Sequence, residues 1–106
     1  MPFIHLPDLE EKQMIPGFYA RMQHTEHMTV AFWNVTAGAS LPEHRHPHEQ
    51  ITAVIRGTFE MTVDGEKKII EPGDVVIIPS QATHSATALT DCYLMDVFSP
   101  VREDYR

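Results

Sequence analysis

Short segments rich in β-branched and aromatic residues recur along the chain about every eight to twelve residues, and glycine, proline or Asp-Gly separates them. This spacing is typical of an all-β sandwich or barrel and indicates about eight or nine strands. Eight of them are predicted at residues 18–23, 28–36, 50–56, 58–63, 67–71, 75–78, 84–88 and 93–99.

Two tight turns and one helical turn complete the predicted elements. The dipeptide Asp64-Gly65 predicts a type I′ hairpin, because both residues tolerate positive φ. The Pro-Gly-Asp run at residues 72–74 predicts a second turn. Helix is expected only as a short N-terminal turn within residues 6–13. Since there is neither a repeat nor a linker, residues 1–106 are predicted to form one domain.

The charge balance argues against partners that carry phosphates. The chain has 8 basic and 15 acidic residues, a formal net charge of −7 with histidine neutral, which disfavours nonspecific binding to nucleic acid or anionic lipid. No apolar run has the length of a membrane span, and the single cysteine, Cys92, cannot form an internal disulfide. The N-terminus lacks a signal-peptide pattern, so we expect a cytoplasmic protein.

Histidine is concentrated in one part of the chain, because three of the seven histidines lie within residues 44–48. His44 and His46 are two positions apart in an extended segment, so both imidazoles point the same way and can reach one ion. Gln50 lies an even number of residues further along and would face the same side of a regular strand, although Pro47 bends the chain between His46 and Gln50. A turn, an apolar strand and a proline then precede His84, which is expected to begin the next strand and could meet the first pair across a barrel.

These segments resemble the paired motifs of the cupin family. The first motif is a glycine, His-x-His, an acid and a second glycine at fixed spacing, and the second is Pro-Gly-Asp with a downstream histidine. The matching residues are Gly38, His44, His46, Gln50, Gly57, Pro72, Gly73, Asp74 and His84. The resemblance implies a small all-β jelly-roll barrel, the double-stranded β-helix. The chain departs from the family at Gln50, where most cupins have glutamate, and at Thr87 or Ala88, where asparagine is usual.

The resemblance also implies a metal site formed by His44, His46, Gln50 and His84. Three nitrogen donors suit a first-row divalent ion, and nickel, iron, manganese and zinc all stay open. Gln50 could instead orient a ligand or a substrate. Because a glutamine oxygen is neutral, the protein ligands leave the charge of the ion uncompensated, so we expect an anionic carboxylate substrate.

The four other histidines and Glu49 are not part of the implied metal site. Either His48 or Glu49 could approach the pocket, or both could lie on a solvent-facing bend after Pro47. The others, His5, His24 and His27, are expected to be ordinary surface or barrel-lining residues.

The C-terminal strand carries a second candidate group. Asp96 and Phe98 share the parity of the apolar Leu94, so Asp96 is expected to point into the barrel, where a buried carboxylate needs a partner. Arg102 follows a proline and could fold back over the pocket mouth. The alternatives are an edge-strand Asp96 in solvent and an Arg102 on a loose tail.

Residues 96–104, together with the glutamine of the first motif, resemble the small pectin-degradation cupins that ketonise unsaturated uronates. The resemblance implies an active site in which Asp96 is the general acid and base, Arg102 binds the carboxylate through two hydrogen bonds, and Phe98 forms an apolar wall. The function it implies is a metal-dependent isomerase that opens and ketonises 4,5-unsaturated uronates from pectin or alginate. A dioxygenase with ferrous iron and a non-catalytic ligand-binding module are the alternatives.

A homodimer is expected as well. Residues 28–35 carry apolar side chains on both parities, so we expect this strand to lie at an exposed sheet edge and to pair with a second copy. The alternative is a monomer in which the N-terminal arm covers the edge.

Overall fold

The computed structural model describes residues 2–106, whose strands form two antiparallel sheets. The larger sheet has six strands in the order β1-β2-β3-β10-β5-β8, and the smaller sheet has four in the order β4-β9-β6-β7. The strands are β1 (Lys12–Ile15), β2 (Phe18–His24), β3 (Thr29–Val35), β4 (Ser40–His44), β5 (Glu49–Arg56), β6 (Phe59–Val63), β7 (Glu66–Ile70), β8 (Val75–Ile78), β9 (His84–Ala88) and β10 (Cys92–Ser99).

This architecture confirms the all-β prediction. Each of the eight predicted strands is present, with its ends within one residue of the predicted ones. The Asp64-Gly65 turn is also confirmed, with φ of 47° and 84° at its two residues. Among residues 2–106, no helix has the length and apolar character needed to cross a membrane.

The core lies between the inner faces of the two sheets. Along β3 and β10 buried residues alternate with half-buried ones, apart from the exposed Ser99 at the end of β10, because successive side chains of a strand point to opposite faces. Phe18 and Trp33 of the larger sheet meet edge to face, with ring centroids 6.1 Å apart, and Phe59 is buried in the same cluster from the smaller sheet. The inward positions of β5 and β10 continue this core into the candidate site.

The N-terminal segment differs from the prediction. The helical turn is a 3₁₀ turn limited to Leu6–Asp8, and part of the predicted helical stretch forms strand β1 instead. Pairing explains the difference, because the Pro16-Gly17 turn brings β1 alongside β2, with Lys12 opposite Ala20. Ladder hydrogen bonds and the packing of Met14 on the core outweigh a weak local helical preference.

The expectation that residues 28–35 form an exposed edge is wrong. Strand β3 lies inside the larger sheet and pairs with β2 on one side and β10 on the other. Its apolar residues occur on both parities because one set faces the core and the other set faces outward on an interior strand. A dimer therefore cannot form by pairing at this strand, and the oligomeric state stays a prediction.

Gly57 is the glycine whose replacement should cost most. Its φ is 94°, and an added Cβ would overlap the carbonyl oxygen of Asp91 and approach Cys92 Sγ. Gly73 has a similar φ of 98° but open space around it, so Gly73→Ala is a matched control. We expect Gly73→Ala to lower the free energy of unfolding by about 1–2 kcal/mol through backbone strain alone. Gly57→Ala should cost about 1–3 kcal/mol more through overpacking, measured by urea denaturation, and equal losses would contradict this account.

Candidate metal centre and adjoining pocket

Strand pairing brings three histidines to one point. His44 ends β4, His84 begins β9, and the two are direct partners in the antiparallel register. Their rings lie 4.1 Å apart between centroids, and the ring of His46, in the loop after β4, lies 5.8 Å from His44 and 4.9 Å from His84. One nitrogen from each ring falls within 4.8 Å of the others. The predicted meeting of the three histidines is thus present in the structure.

Backbone carbonyl groups fix the tautomer of each ring. The Nδ1 atoms of His44, His46 and His84 lie 2.9, 3.1 and 2.9 Å from the carbonyl oxygens of Pro42, His48 and Ala82. Because a carbonyl oxygen only accepts, each Nδ1 must carry the proton, and each Nε2 keeps its lone pair. The Nε2 atom of His84 is buried and has no hydrogen-bond partner among residues 2–106, as expected of an atom that a cation would bind.

Burial keeps the imidazoles of His46 and His84 neutral. Desolvation lowers the pKa of His84 to about 4, with smaller contributions from the neighbouring histidines and Arg102. Desolvation also lowers the pKa of His46, followed by the charge of Arg102. Neutral imidazole is the form that binds a metal ion, so at neutral pH no proton has to leave these two rings before an ion can bind.

Gln50 faces the histidines with its amide oxygen. The Thr52 hydroxyl donates its one proton to Asp96 Oδ1 over 2.5 Å, so it must accept the 3.0 Å hydrogen bond from Gln50 Nε2. Gln50 Oε1 therefore lies 3.1 Å from His46 Nε2, which also bears a lone pair when His46 is neutral. Two acceptors that face each other at this distance without a proton are arranged as two ligands of one cation, and the residues fit a divalent metal ion.

Asp96 lies on β10 and points inward, as predicted. Its carboxylate is buried, with 8% of the residue exposed, and Thr52 is its partner across the pairing of β10 with β5. Burial raises the pKa of Asp96 to about 6, although hydrogen bonds from Thr52 and other neighbours oppose the rise. A carboxyl group with such a pKa exchanges its proton readily near neutral pH.

Arg102 folds back over the barrel after β10, also as predicted, but its hydrogen bonds differ from expectation. The side chain is buried, with Nε and Nη2 donating to the two carboxylate oxygens of Asp104 at 3.0 and 2.7 Å. The guanidinium carbon lies 3.9 Å from the centroid of the Tyr105 ring and 4.7 Å from that of Phe98. One edge of the guanidinium is therefore occupied by Asp104, and only the remaining edge is available to a ligand.

All predicted site residues line one pocket. Its wall also includes groups that the sequence analysis did not select, of which Thr52 and Tyr105 make the contacts described above. Thr52 could have been found by parity, since it lies two residues after Gln50 on the same strand. The predicted residues in the pocket wall are His44, His46, Gln50, His84, Asp96, Phe98 and Arg102.

The pocket wall includes neither Glu49 nor any of the four other histidines. His48 is half-buried, and its ring packs 5.3 Å from that of His46 and 6.4 Å from Phe98. Glu49 is exposed, as are His5 and His27. His24 is half-buried, and its Nδ1 lies 2.7 Å from the hydroxyl of Thr29.

Known proteins resemble this chain in sequence and in fold. Residues 31–98, well over half of the chain, match the family described as the cupin domain. The pectin degradation protein KdgF of Dickeya dadantii is 37% identical over 70 residues, and this match covers 64% of this chain and 64% of that protein. The chain thus spans somewhat less than two thirds of that relative's length.

Two solved structures superpose closely over the whole chain. The structure of KdgF from Halomonas sp. has a TM-score of 0.94 at 31% identity and is covered to 99%. An RmlC-like cupin from Shewanella frigidimarina has a TM-score of 0.95 at 29% identity and is covered to 96%. Both matches cover 100% of this chain.

The histidine cluster predicts how metal binding responds to substitution. Replacing His84 with alanine removes one of three converging nitrogen donors, and we expect Zn²⁺ and Ni²⁺ affinities to fall by more than about tenfold. Isothermal titration calorimetry with metal-depleted protein at neutral pH measures this change. His27→Ala alters an exposed histidine and should leave both affinities unchanged. Equal affinities of the two variants would show that the cluster is not the binding site.

Proposed function

This chain belongs to the cupin family, and we propose that it is a metal-dependent isomerase that opens the ring of a 4,5-unsaturated uronate and ketonises it. The observation that carries the proposal is the run of contacts from Asp96 to His46: Thr52 donates to Asp96, Gln50 donates to Thr52, and Gln50 Oε1 faces His46 Nε2 at 3.1 Å. These contacts hold a carboxyl group that can exchange protons next to the candidate metal centre. Similarity to two proteins named KdgF, one described as a pectin degradation protein, supports the choice of substrate.

His44, His46, His84 and Gln50 would hold the ion, which we propose to be divalent nickel, iron, manganese or zinc. When bound, it supplies Lewis-acid stabilisation of negative charge on substrate oxygens. All four side chains are neutral ligands, so they leave its positive charge uncompensated. A substrate with a carboxylate is therefore favoured over a neutral sugar.

Asp96 would move one proton from oxygen to carbon. In the proposed reaction the C1 hydroxyl loses its proton, the bond between C1 and the ring oxygen breaks, and C4 gains a proton as the C5 enol becomes a ketone. Substrate and product are isomers, so nothing is oxidised or reduced. Since Oδ1 of Asp96 accepts the Thr52 hydroxyl, Oδ2 is the oxygen available to carry the proton.

Arg102 and Phe98 would position the sugar. The guanidinium edge that Asp104 leaves free can donate to the uronate carboxylate, while Asp104, Tyr105 and Phe98 hold the group in place. Phe98 presents an apolar surface to the pocket and limits access of water to the ring. Binding and orientation thus depend on residues that follow one another closely along the chain.

The role of Asp96 predicts a selective loss of turnover. Asp96→Asn keeps the shape of the side chain but cannot shuttle a proton, so ketonisation should slow by about 10²- to 10⁴-fold while the Zn²⁺ and Ni²⁺ affinities change little. Loss of the ring-form resonances of 4,5-unsaturated galacturonate, followed by NMR, gives the rate. Unchanged ketonisation in this variant would remove Asp96 from the mechanism.

The same assay separates the alternative functions. Asp8→Asn changes an exposed aspartate and controls for charge, and metal-depleted wild-type protein controls for the spontaneous reaction. The isomerase should work equally well without oxygen, whereas a dioxygenase would stop. If no unsaturated uronate from pectin or alginate reacts faster than in the metal-depleted control, the isomerase proposal fails.

The role of Arg102 predicts a change in substrate affinity. Arg102→Lys keeps the charge, but an ammonium group cannot bind Asp104 through two bonds and still present a fixed edge to a carboxylate. We expect KM for the unsaturated uronate to rise about tenfold or more, with a smaller effect on kcat. Arg21→Lys is the control, because Arg21 pairs with Glu11 at 3.2 Å outside the pocket. A normal KM in Arg102→Lys would contradict the assignment.

A further inference from the structure

A fully buried threonine lies behind the wall of the candidate site. Thr29 begins β3 and is 0% exposed, and it is not among the residues that line the pocket. Its strand partners are His24 on β2 and Phe98 on β10, so it lies where β10 leads into the C-terminal segment, residues 100–106, which contains Arg102. A buried hydroxyl is costly unless hydrogen bonds satisfy it, so the partners of Thr29 Oγ1 indicate its role.

The Thr29 hydroxyl accepts a hydrogen bond from the backbone of Arg102. The N–H of Arg102 donates to Thr29 Oγ1 at 2.9 Å, although the two residues are 73 positions apart in the sequence. The other hydrogen bonds of Arg102 stay within the C-terminal segment, because its guanidinium donates to Asp104 and its carbonyl accepts the N–H of Tyr105. Among residues 2–106, Thr29 is thus the one hydrogen-bond partner of Arg102 that belongs to a strand.

A histidine fixes the direction of this hydroxyl. His24 Nδ1 lies 2.7 Å from Thr29 Oγ1 and is the only acceptor that the hydroxyl contacts among residues 2–106, since the N–H of Arg102 can only donate. The Thr29 proton therefore goes to Nδ1 of a neutral His24, which carries its own proton on Nε2. With its proton directed at His24, the hydroxyl presents a lone pair to the N–H of Arg102.

The place of the guanidinium in the pocket depends on this backbone contact. Asp104 and Tyr105 belong to the same segment as Arg102, so these two partners move together with it. The segment also touches the barrel through rings, with the guanidinium 4.7 Å from Phe98 and Tyr105 6.5 Å from Trp33. Such ring contacts tolerate sliding, whereas a hydrogen bond requires a defined distance and angle.

We propose that Thr29, with its hydroxyl directed by His24, is a positioning residue that sets the free guanidinium edge of Arg102 for the carboxylate of the uronate. The inference rests on the proposed function, because it requires Arg102 to bind that carboxylate. Thr29 does not line the pocket, so it acts through Arg102 and not on the ligand itself. Hydrogen bonds between a guanidinium and a carboxylate are directional, so a displaced Arg102 weakens substrate binding more than it slows proton transfer at Asp96.

Steady-state kinetics of three threonine variants test the proposal. Thr29→Val keeps the size and branching of the side chain but removes the acceptor, so KM for 4,5-unsaturated galacturonate should rise about three- to tenfold with little change in kcat or Zn²⁺ affinity. Thr29→Ser keeps the hydroxyl and should keep a KM close to that of the wild type. Thr87→Val removes a hydroxyl that lies 3.0 Å from Ser40 Oγ in the smaller sheet, and it should leave KM unchanged. A normal KM in Thr29→Val, or an equal rise in Thr29→Ser, overturns the proposal.

Two further variants show whether Thr29 acts through Arg102. If it does, adding Thr29→Val to Arg102→Lys should raise KM little beyond the value of Arg102→Lys alone, whereas additive rises would show an independent effect and overturn the proposal. His24→Leu removes the acceptor of the Thr29 proton at a half-buried position, and it tests the same contact if Thr29→Val fails to fold. We expect KM of this variant to rise about two- to fivefold, and an unchanged KM would show that the hydroxyl needs no direction from His24.

Binding of saturated galacturonate separates this inference from the proposed function, because this sugar acid has no double bond to ketonise. Its dissociation constant, measured by calorimetry, should rise about three- to tenfold in Thr29→Val. If the wild type shows this difference but ketonises no unsaturated uronate, the isomerase proposal fails and the role of Thr29 stands. If the wild type ketonises the substrate but Thr29→Val binds galacturonate equally well, only the role of Thr29 fails. A wild type that binds no uronate overturns both.

Discussion

The antiparallel pairing of β4 with β9 is the constraint on which the candidate metal centre depends. It places His44 opposite His84, and a one-residue slip would turn one of the two rings out of the barrel. Strand β9 is held in turn by β6 and by Asp64, whose carboxylate accepts the backbone N–H of Thr83 at 2.9 Å. Asp64 therefore both forms the hairpin turn and fixes the residue that precedes His84, so a turn on the surface helps to set the register of a buried candidate ligand.

Hydrogen bonds to fixed acceptors order the polar groups around the candidate metal centre. The Nδ1 protons of the three histidines go to carbonyl oxygens, and the Thr52 proton goes to Asp96. These assignments leave the amide oxygen of Gln50 directed at His46. Unsatisfied buried polar groups are costly, so the few that lack a proton partner, His46 Nε2 and His84 Nε2 among them, mark the point at which a cation would complete the network. The hydrogen bonds of the protein therefore order these side chains before any ligand binds.

Parity along strands made much of this site predictable from the sequence. The alternation on β10 placed Asp96 and Phe98 inside, and the i, i+2 spacing of His44 and His46 indicated the first half of the candidate metal centre. Strand β1 was not predictable, because its pairing with β2 is a tertiary effect that local composition does not encode. The contact of Asp104 with Arg102 was also hidden, since two neighbouring opposite charges in a C-terminal segment are most often both in solvent.

Strand β5 links the site to the outer surface of the barrel. Its inward residues Gln50 and Thr52 belong to the candidate site, while Ile51 and Ile55 are exposed on its outer side. Because successive side chains of a strand point to opposite faces, a one-residue slip of β5 would turn the isoleucines inward and carry both polar groups out of the pocket. The pairing of β5 with β10 on one side and β8 on the other prevents such a slip and sets Thr52 opposite Asp96. The register of one strand therefore decides both which groups reach the candidate site and which apolar residues meet the solvent.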